Sequence, residues 1–131
     1  MTEHITERVE IMLQDRMQFE ATNADQVRVT LDAPARHGGG GAGFGPMELL
    51  LVGLGTCTGM DVISILRKKR QAVTEYTVVV DGVRAGEHPK VFTDITIRHI
   101  LRGSDLSEEA VRRSIELSET TYCPAFAMLR Q

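Results

Sequence analysis

Residues 45–70 read GPMELLLVGLGTCTGMDVISILRKKR, and this stretch decides the fold. Pro46 suits the first helical position, and Glu48 puts negative charge in the first turn, where the helix dipole favours it. From there to Arg70 the predicted helix is apolar nearly all round, through Leu49, Leu50, Leu51, Val52, Leu54, Met60, Val62, Ile63, Ile65 and Leu66. A helix without a polar face is expected to be buried on all sides. A chain of 131 residues has too little material to wrap such a helix. The expectation is therefore an intertwined or tightly packed homodimer. The stretch Met47–Leu66 is also apolar enough to tempt a membrane assignment. Glu48, Asp61, three glycines and three hydroxyl residues argue against a span, because ionisable groups in lipid are costly. The Gly55-x-x-x-Gly59 spacing permits close helix contact in a protein core as readily as in a bilayer.

Working outward, three short stretches precede the helix with period-two alternation: Val9, Ile11 and Leu13; Met17, Phe19 and Ala21; Val27, Val29 and Leu31. Short polar breaks at Asp15-Arg16 and Asn23-Ala24-Asp25 predict hairpins and an antiparallel meander. Its apolar face must meet a helix or a partner chain. Residues 34–46 form a loop centred on Gly38–Gly45, where glycine lets backbone approach something closely. The loop lacks a Gly-Lys-Ser/Thr ending and the Rossmann glycine spacing, so it reads as a connector rather than a phosphate site. After the helix, Tyr76–Arg84 and Val91–Arg102 predict a second hairpin. Ser107 is a good N-cap for a helix reaching about Thr121, and Pro124 opens a short final helix. The order β-β-β-α-β-β-α-α is an α+β fold, expected as a single domain over residues 1–131.

The net charge of −3 gives no sign of nucleic-acid binding. The basic run Arg67–Arg70 reads as a solvated helix end complementing the dipole. Met1–Glu10 has no signal-peptide core, so the expected location is the cytoplasm, with no membrane partner. There a disulfide would be transient and chemical rather than structural. His4, His37, His88 and His99 show no close ligand spacing with one another or with the cysteines, so neither metal nor cofactor is expected. No Gly-x-Ser-x-Gly elbow marks a hydrolase.

Chemistry then falls to the two cysteines, Cys57 and Cys123. The bland alternative is that both are small packing residues. As N-cap of the final helix, Cys123 would have its thiol pKa lowered by exposed N–H groups and the dipole. Cys57 lies about three turns into its helix, where the dipole helps little, so local physics nominates Cys123 as the more reactive thiol.

The motifs Gly45-Pro46-Met47-Glu48-Leu49-Leu50-Leu51, Gly55-Thr56-Cys57-Thr58-Gly59-Met60-Asp61-Val62 and Tyr122-Cys123-Pro124, with His88-Pro89-Lys90-Val91-Phe92 between the second pair of strands, resemble the OsmC/Ohr superfamily. The resemblance implies an intertwined homodimer and a thiol-dependent peroxidase of organic hydroperoxides, regenerated by an external dithiol. It also implies unequal roles: Cys57 as the peroxidatic thiol and Cys123 as the resolving one, which reverses the local nomination. Hydroperoxide-reducing members place a glutamate directly after the proline; here that position is Met47 and the acid follows at Glu48. On a helix that shift turns the carboxylate by about 100°. For the thiol-activating arginine the candidates are Arg16, Arg36 and Arg84. The departure at Met47 motivates an alternative, a non-catalytic dimer of the same fold that binds a small apolar molecule or lipid at the subunit interface, between the long helices.

Overall fold

The structure is a computed structural model that describes residues 3–130. It contains β1 (Val9–Asp15), β2 (Gln18–Asn23), β3 (Arg28–Leu31), α1 (Pro46–Lys68), β4 (Ala72–Arg84), β5 (Phe92–Ser104), α2 (Glu108–Leu117) and α3 (Pro124–Leu129). A 3-10 turn at Ala35–His37 and a π turn at Ser118–Tyr122 complete it. The α+β order matches the expectation. The chain divides into two compact units, Met1–Leu49 and Leu50–Gln131.

In the first unit β1, β2 and β3 form an antiparallel meander. Register places Ile11 opposite Ala21 and Ala21 opposite Val29, and Leu13 opposite Phe19 and Phe19 opposite Leu31. Directly opposed residues share a face, so the period-two pattern becomes two apolar rows across the sheet. That face is open in the single chain, with Val9, Ile11 and Leu13 all more than half exposed. Arg16 forms the β1–β2 turn with φ 47°, and Asn23 Oδ1 closes the next turn by accepting from Asp25 N–H and Val27 N–H.

The glycine-rich connector folds onto its own chain. Asp32, 4 % exposed, accepts from Ala33 N–H at 2.7 Å, Gly40 N–H at 3.1 Å and Ala42 N–H at 3.0 Å. A Cβ at Gly39 would overlap the Ala33 carbonyl, and one at Gly43 the Thr30 carbonyl. The close approach that glycine permits here is therefore between two main-chain segments. At the start of α1, Glu48 Oε1 accepts from Gly45 N–H at 2.8 Å, the return half of a capping box.

The second unit packs α1 on the long β4–β5 hairpin. The buried residues of α1 are Leu54, Gly55, Thr58, Gly59, Val62 and Leu66, a single stripe at helical spacing. A Cβ at Gly55 would lie 2.8 Å from Val80 Cγ2, and one at Gly59 3.4 Å from Val78 Cγ2. The two glycines thus let helix and hairpin approach closely. In the single chain Leu50, Val52 and Met60 remain exposed, since one hairpin covers only one face. By length and composition α1 could cross a membrane, and it is the one such helix among the described residues. The strands extend beyond the sequence reading, β4 starting at Ala72 and β5 ending at Ser104. Ser107 caps α2 as expected, accepting from Ala110 N–H. The α-helical geometry ends at Leu117, however, and widens into the π turn instead of continuing to Thr121.

Candidate active site

Cys57 and Cys123 are both free and are brought together in the second unit. Cys57 projects from α1 and is half-buried, one residue before the fully buried Thr58. Cys123 follows the π turn and is 4 % exposed. Its extended backbone (φ −81°, ψ 105°) makes it the N-cap of α3, with Pro124 at the first helical position, as the sequence predicts. The cap is made by sulfur: Phe126 N–H donates to Cys123 Sγ at 3.3 Å.

That capping position does not lower the Cys123 pKa. Burial pushes it above the ordinary cysteine range, and the Phe126 N–H works against that rise without overcoming it. The neighbouring Cys57 thiol and the Asp61 carboxylate push it further in the same direction. The local expectation of a lowered Cys123 pKa is thus overturned, because desolvation outweighs the end of a helix only six residues long.

A chain of polar side chains joins α1 to the π turn. Thr58 Oγ1 lies 2.7 Å from Ser118 Oγ, and the Ser118 hydroxyl donates to Asp61 Oδ2 at 2.9 Å. Thr58 and Ser118 are completely buried. The Ser118 carbonyl then accepts from Cys123 N–H at 2.8 Å. Sequence reasoning passed over Asp61 and Ser118 as functional residues. The available signal was spacing, since Asp61 follows Cys57 by four positions and so shares its helix face.

Glu48 is occupied at the helix start by Gly45 N–H. Arg84 donates from Nε to the Lys90 carbonyl at the turn that joins β4 to β5. Arg16 reaches over the clamped loop of the first unit, where a Cβ on Gly40 would lie 2.9 Å from its Nη2. There Asp32 is held below the usual carboxylate range, chiefly by the Ala42 N–H, with smaller help from Ala33, Gly40 and the Arg16 charge against the opposing cost of burial. Arg36 is exposed on the 3-10 turn.

Beneath Gly59 the hairpin carries a second polar pair. Tyr76 Oη and His99 Nδ1 are 2.6 Å apart, and the rings stack with centroids at 5.9 Å. His99 Nε2 is buried and unpartnered. Burial lowers the His99 pKa and raises that of Tyr76, so both are neutral near pH 7. A cavity of about 290 Å³ opens in the unit, lined by Leu54, Phe92, Ile95, Ile97, Phe126 and Leu129 together with Thr93, Asp94 and Arg130. Among the described residues no three His, Cys, Asp or Glu side chains cluster to hold a metal ion.

Residues 38–131 match the family described as OsmC-like protein. Protein YhfA of Escherichia coli K12 is 41% identical over 86 residues, which cover 66% of this chain and 64% of YhfA. The match therefore spans a little under two thirds of that relative's length. The crystal structure of a hypothetical protein from Aquifex aeolicus VF5 superposes with a TM-score of 0.84 at 32% identity, over 97% of this chain and 89% of the other. An organic hydroperoxide resistance protein OsmC from Legionella pneumophila shares the fold at a TM-score of 0.68 and 14% identity, over 98% and 92% of the two chains.

Proposed function

The chain belongs to the OsmC-like protein family, and from that premise we propose that it is a thiol-dependent peroxidase reducing organic hydroperoxides with Cys57 and Cys123. The observation that carries this reading is the meeting of the chain's two cysteines, both free, at one place in the fold. Cys57, the less buried thiol, attacks the distal peroxide oxygen as its thiolate. The O–O bond breaks, the alkoxide takes a proton and leaves as an alcohol, and Cys57 becomes a sulfenic acid. The Cys123 thiol then displaces hydroxide from that sulfur, and disulfide and water form. An external dithiol returns both cysteines to thiols by exchange and is itself oxidised to a disulfide.

The working form in this reading is a cytoplasmic homodimer. Its support is the apolar surface that one chain leaves open, with Ile11 63% and Met60 65% exposed. Light scattering on the purified protein tests it; a monomer at micromolar concentration contradicts the dimer. For the activation of Cys57 the reading keeps Arg16, Arg84 and Glu48 as candidates, to be compared as single alanine variants.

The chemical test is titration with one equivalent of cumene hydroperoxide. Free thiol should disappear, and a peptide map should show the Cys57–Cys123 disulfide. In Cys123→Ser the oxidised state should stop at a Cys57 sulfenic acid that a dimedone probe captures. Thiols that survive the peroxide untouched refute the proposal. The cavity, where Leu54, Phe92, Ile95, Ile97, Phe126 and Leu129 outnumber Thr93, Asp94 and Arg130, supports a second reading, a non-catalytic binder of a small apolar molecule. In that case Cys57→Ser/Cys123→Ser leaves ligand affinity unchanged.

A further inference from the structure

Resting on Cys57 and Cys123 as a redox pair, we propose that Asp61 is a positioning residue for Cys123: acting through Ser118, it latches the π turn against α1 and so presents the second thiol to the first.

The hydrogen-bond chain has one possible direction. An ionised carboxylate only accepts, so the single Ser118 hydroxyl proton goes to Asp61 Oδ2. The 2.7 Å contact between the two hydroxyls must then be a donation from Thr58 Oγ1 to Ser118 Oγ. Both hydroxyls are completely buried, where an unmade bond is costly and a charge-assisted one is strong. The latched residue is also the one that fixes Cys123, through the bond from Cys123 N–H to the Ser118 carbonyl.

The wide turn matters for aim. A π turn holds one residue more than an α turn, and one extra residue rotates the chain beyond it by about 100°. Had α2 continued as an α-helix, position 123 would face a different direction from α1. Ser118 opens that π turn, and Asp61 and Thr58 grip it from one face of α1, the face that Cys57 shares with Asp61. The titratable side chains acting on Cys123 are Cys57 and Asp61, both on α1, while α3 contributes the Phe126 N–H. The Asp61 charge thus has a second effect, adding to the burial that holds Cys123 as a thiol until the sulfenic acid has formed. The proton then leaves with the sulfenic hydroxyl as water, so the step needs no further reactant.

Diamide tests this without peroxide. It oxidises the dithiol and is itself reduced to the hydrazine, so the outcome does not depend on peroxidase activity. In the full-length protein, Ser118→Ala and Asp61→Ala should slow formation of the Cys57–Cys123 disulfide by at least about tenfold, the scale on which small misplacements act. Ser118→Thr, which keeps the hydroxyl, should restore most of the rate. Asp61→Asn keeps an accepting oxygen but removes the charge. It should form the disulfide readily, and in a Cys57→Ser background it should shift the pH midpoint of Cys123 alkylation downward. Wild-type rates in both alanine variants overturn the latch, and so does slowing that the threonine variant fails to reverse. An unmoved alkylation midpoint in Asp61→Asn overturns the charge effect. Wild-type protein that ignores cumene hydroperoxide yet shows this diamide pattern loses the peroxidase reading and keeps the latch.

Discussion

Replacing Ser118 by alanine should cost far more stability than replacing its neighbour Thr58 by valine, and the two losses should not add. Thr58→Val keeps the shape and removes one neutral hydroxyl bond, worth about 1 kcal/mol. Ser118→Ala removes that bond and the charge-assisted one to Asp61, worth about 2 kcal/mol more. It also leaves the Thr58 hydroxyl, 0% exposed, without its acceptor. In the double variant no hydroxyl is left behind, so the total should stay near 3 kcal/mol, where addition of the single losses gives at least about 4 kcal/mol. Unfolding entropy of about 0.3 kcal/mol per degree for 131 residues puts the Ser118→Ala loss at roughly 10 °C in Tm. Urea unfolding monitored by circular dichroism, with reductant and one protein concentration throughout, measures all four corners of the cycle. Strict additivity would refute the reasoning, because two hydroxyls that share one bond cannot lose it twice.

Three further outcomes rest on the same packing. Gly55→Ala drives a Cβ to 2.8 Å from Val80 Cγ2 and should cost about 1–3 kcal/mol, whereas Gly59→Ala meets ordinary contact at 3.4 Å and should be neutral or gain up to about 1 kcal/mol; equal effects in urea melts contradict the close approach at Gly55. Because burial lowers the His99 pKa, the unfolded chain binds a proton that the folded one refuses. Stability should therefore be full above about pH 6.5 and fall as pH drops from there through the folded value, and His99→Gln should flatten that slope; an unchanged slope removes His99 as its cause. Asp32→Ala should abolish amide hydrogen-exchange protection at Gly40 and Ala42, whose N–H groups it receives, and retained protection there argues against the clamp.

Much of the fold was legible because local rules and tertiary demands agree. Period-two triplets became paired rows in the meander, as at Leu13, Phe19 and Leu31, since register is set by the apolar face. Ser107 and Cys123 cap their helices, and Pro124 starts α3, as short-range geometry dictates. The long helix was plain from composition, but the stripe that the chain itself covers was not. Periodicity reports which residues are apolar, and only the position of the hairpin selects the stripe from Leu54 to Leu66.

At the site the division is sharper. The sequence by itself determined that two thiols lie in distinct helical settings, one within α1 and one at the N-cap of α3. Only the tertiary structure decided that they meet, that burial outweighs the helix end at Cys123, and that Asp61 and Thr58 reach Ser118 across some sixty positions. The reason is physical. Capping and helix phase depend on residues a few positions apart, whereas desolvation and a shared proton depend on atoms that become neighbours only when the chain has folded.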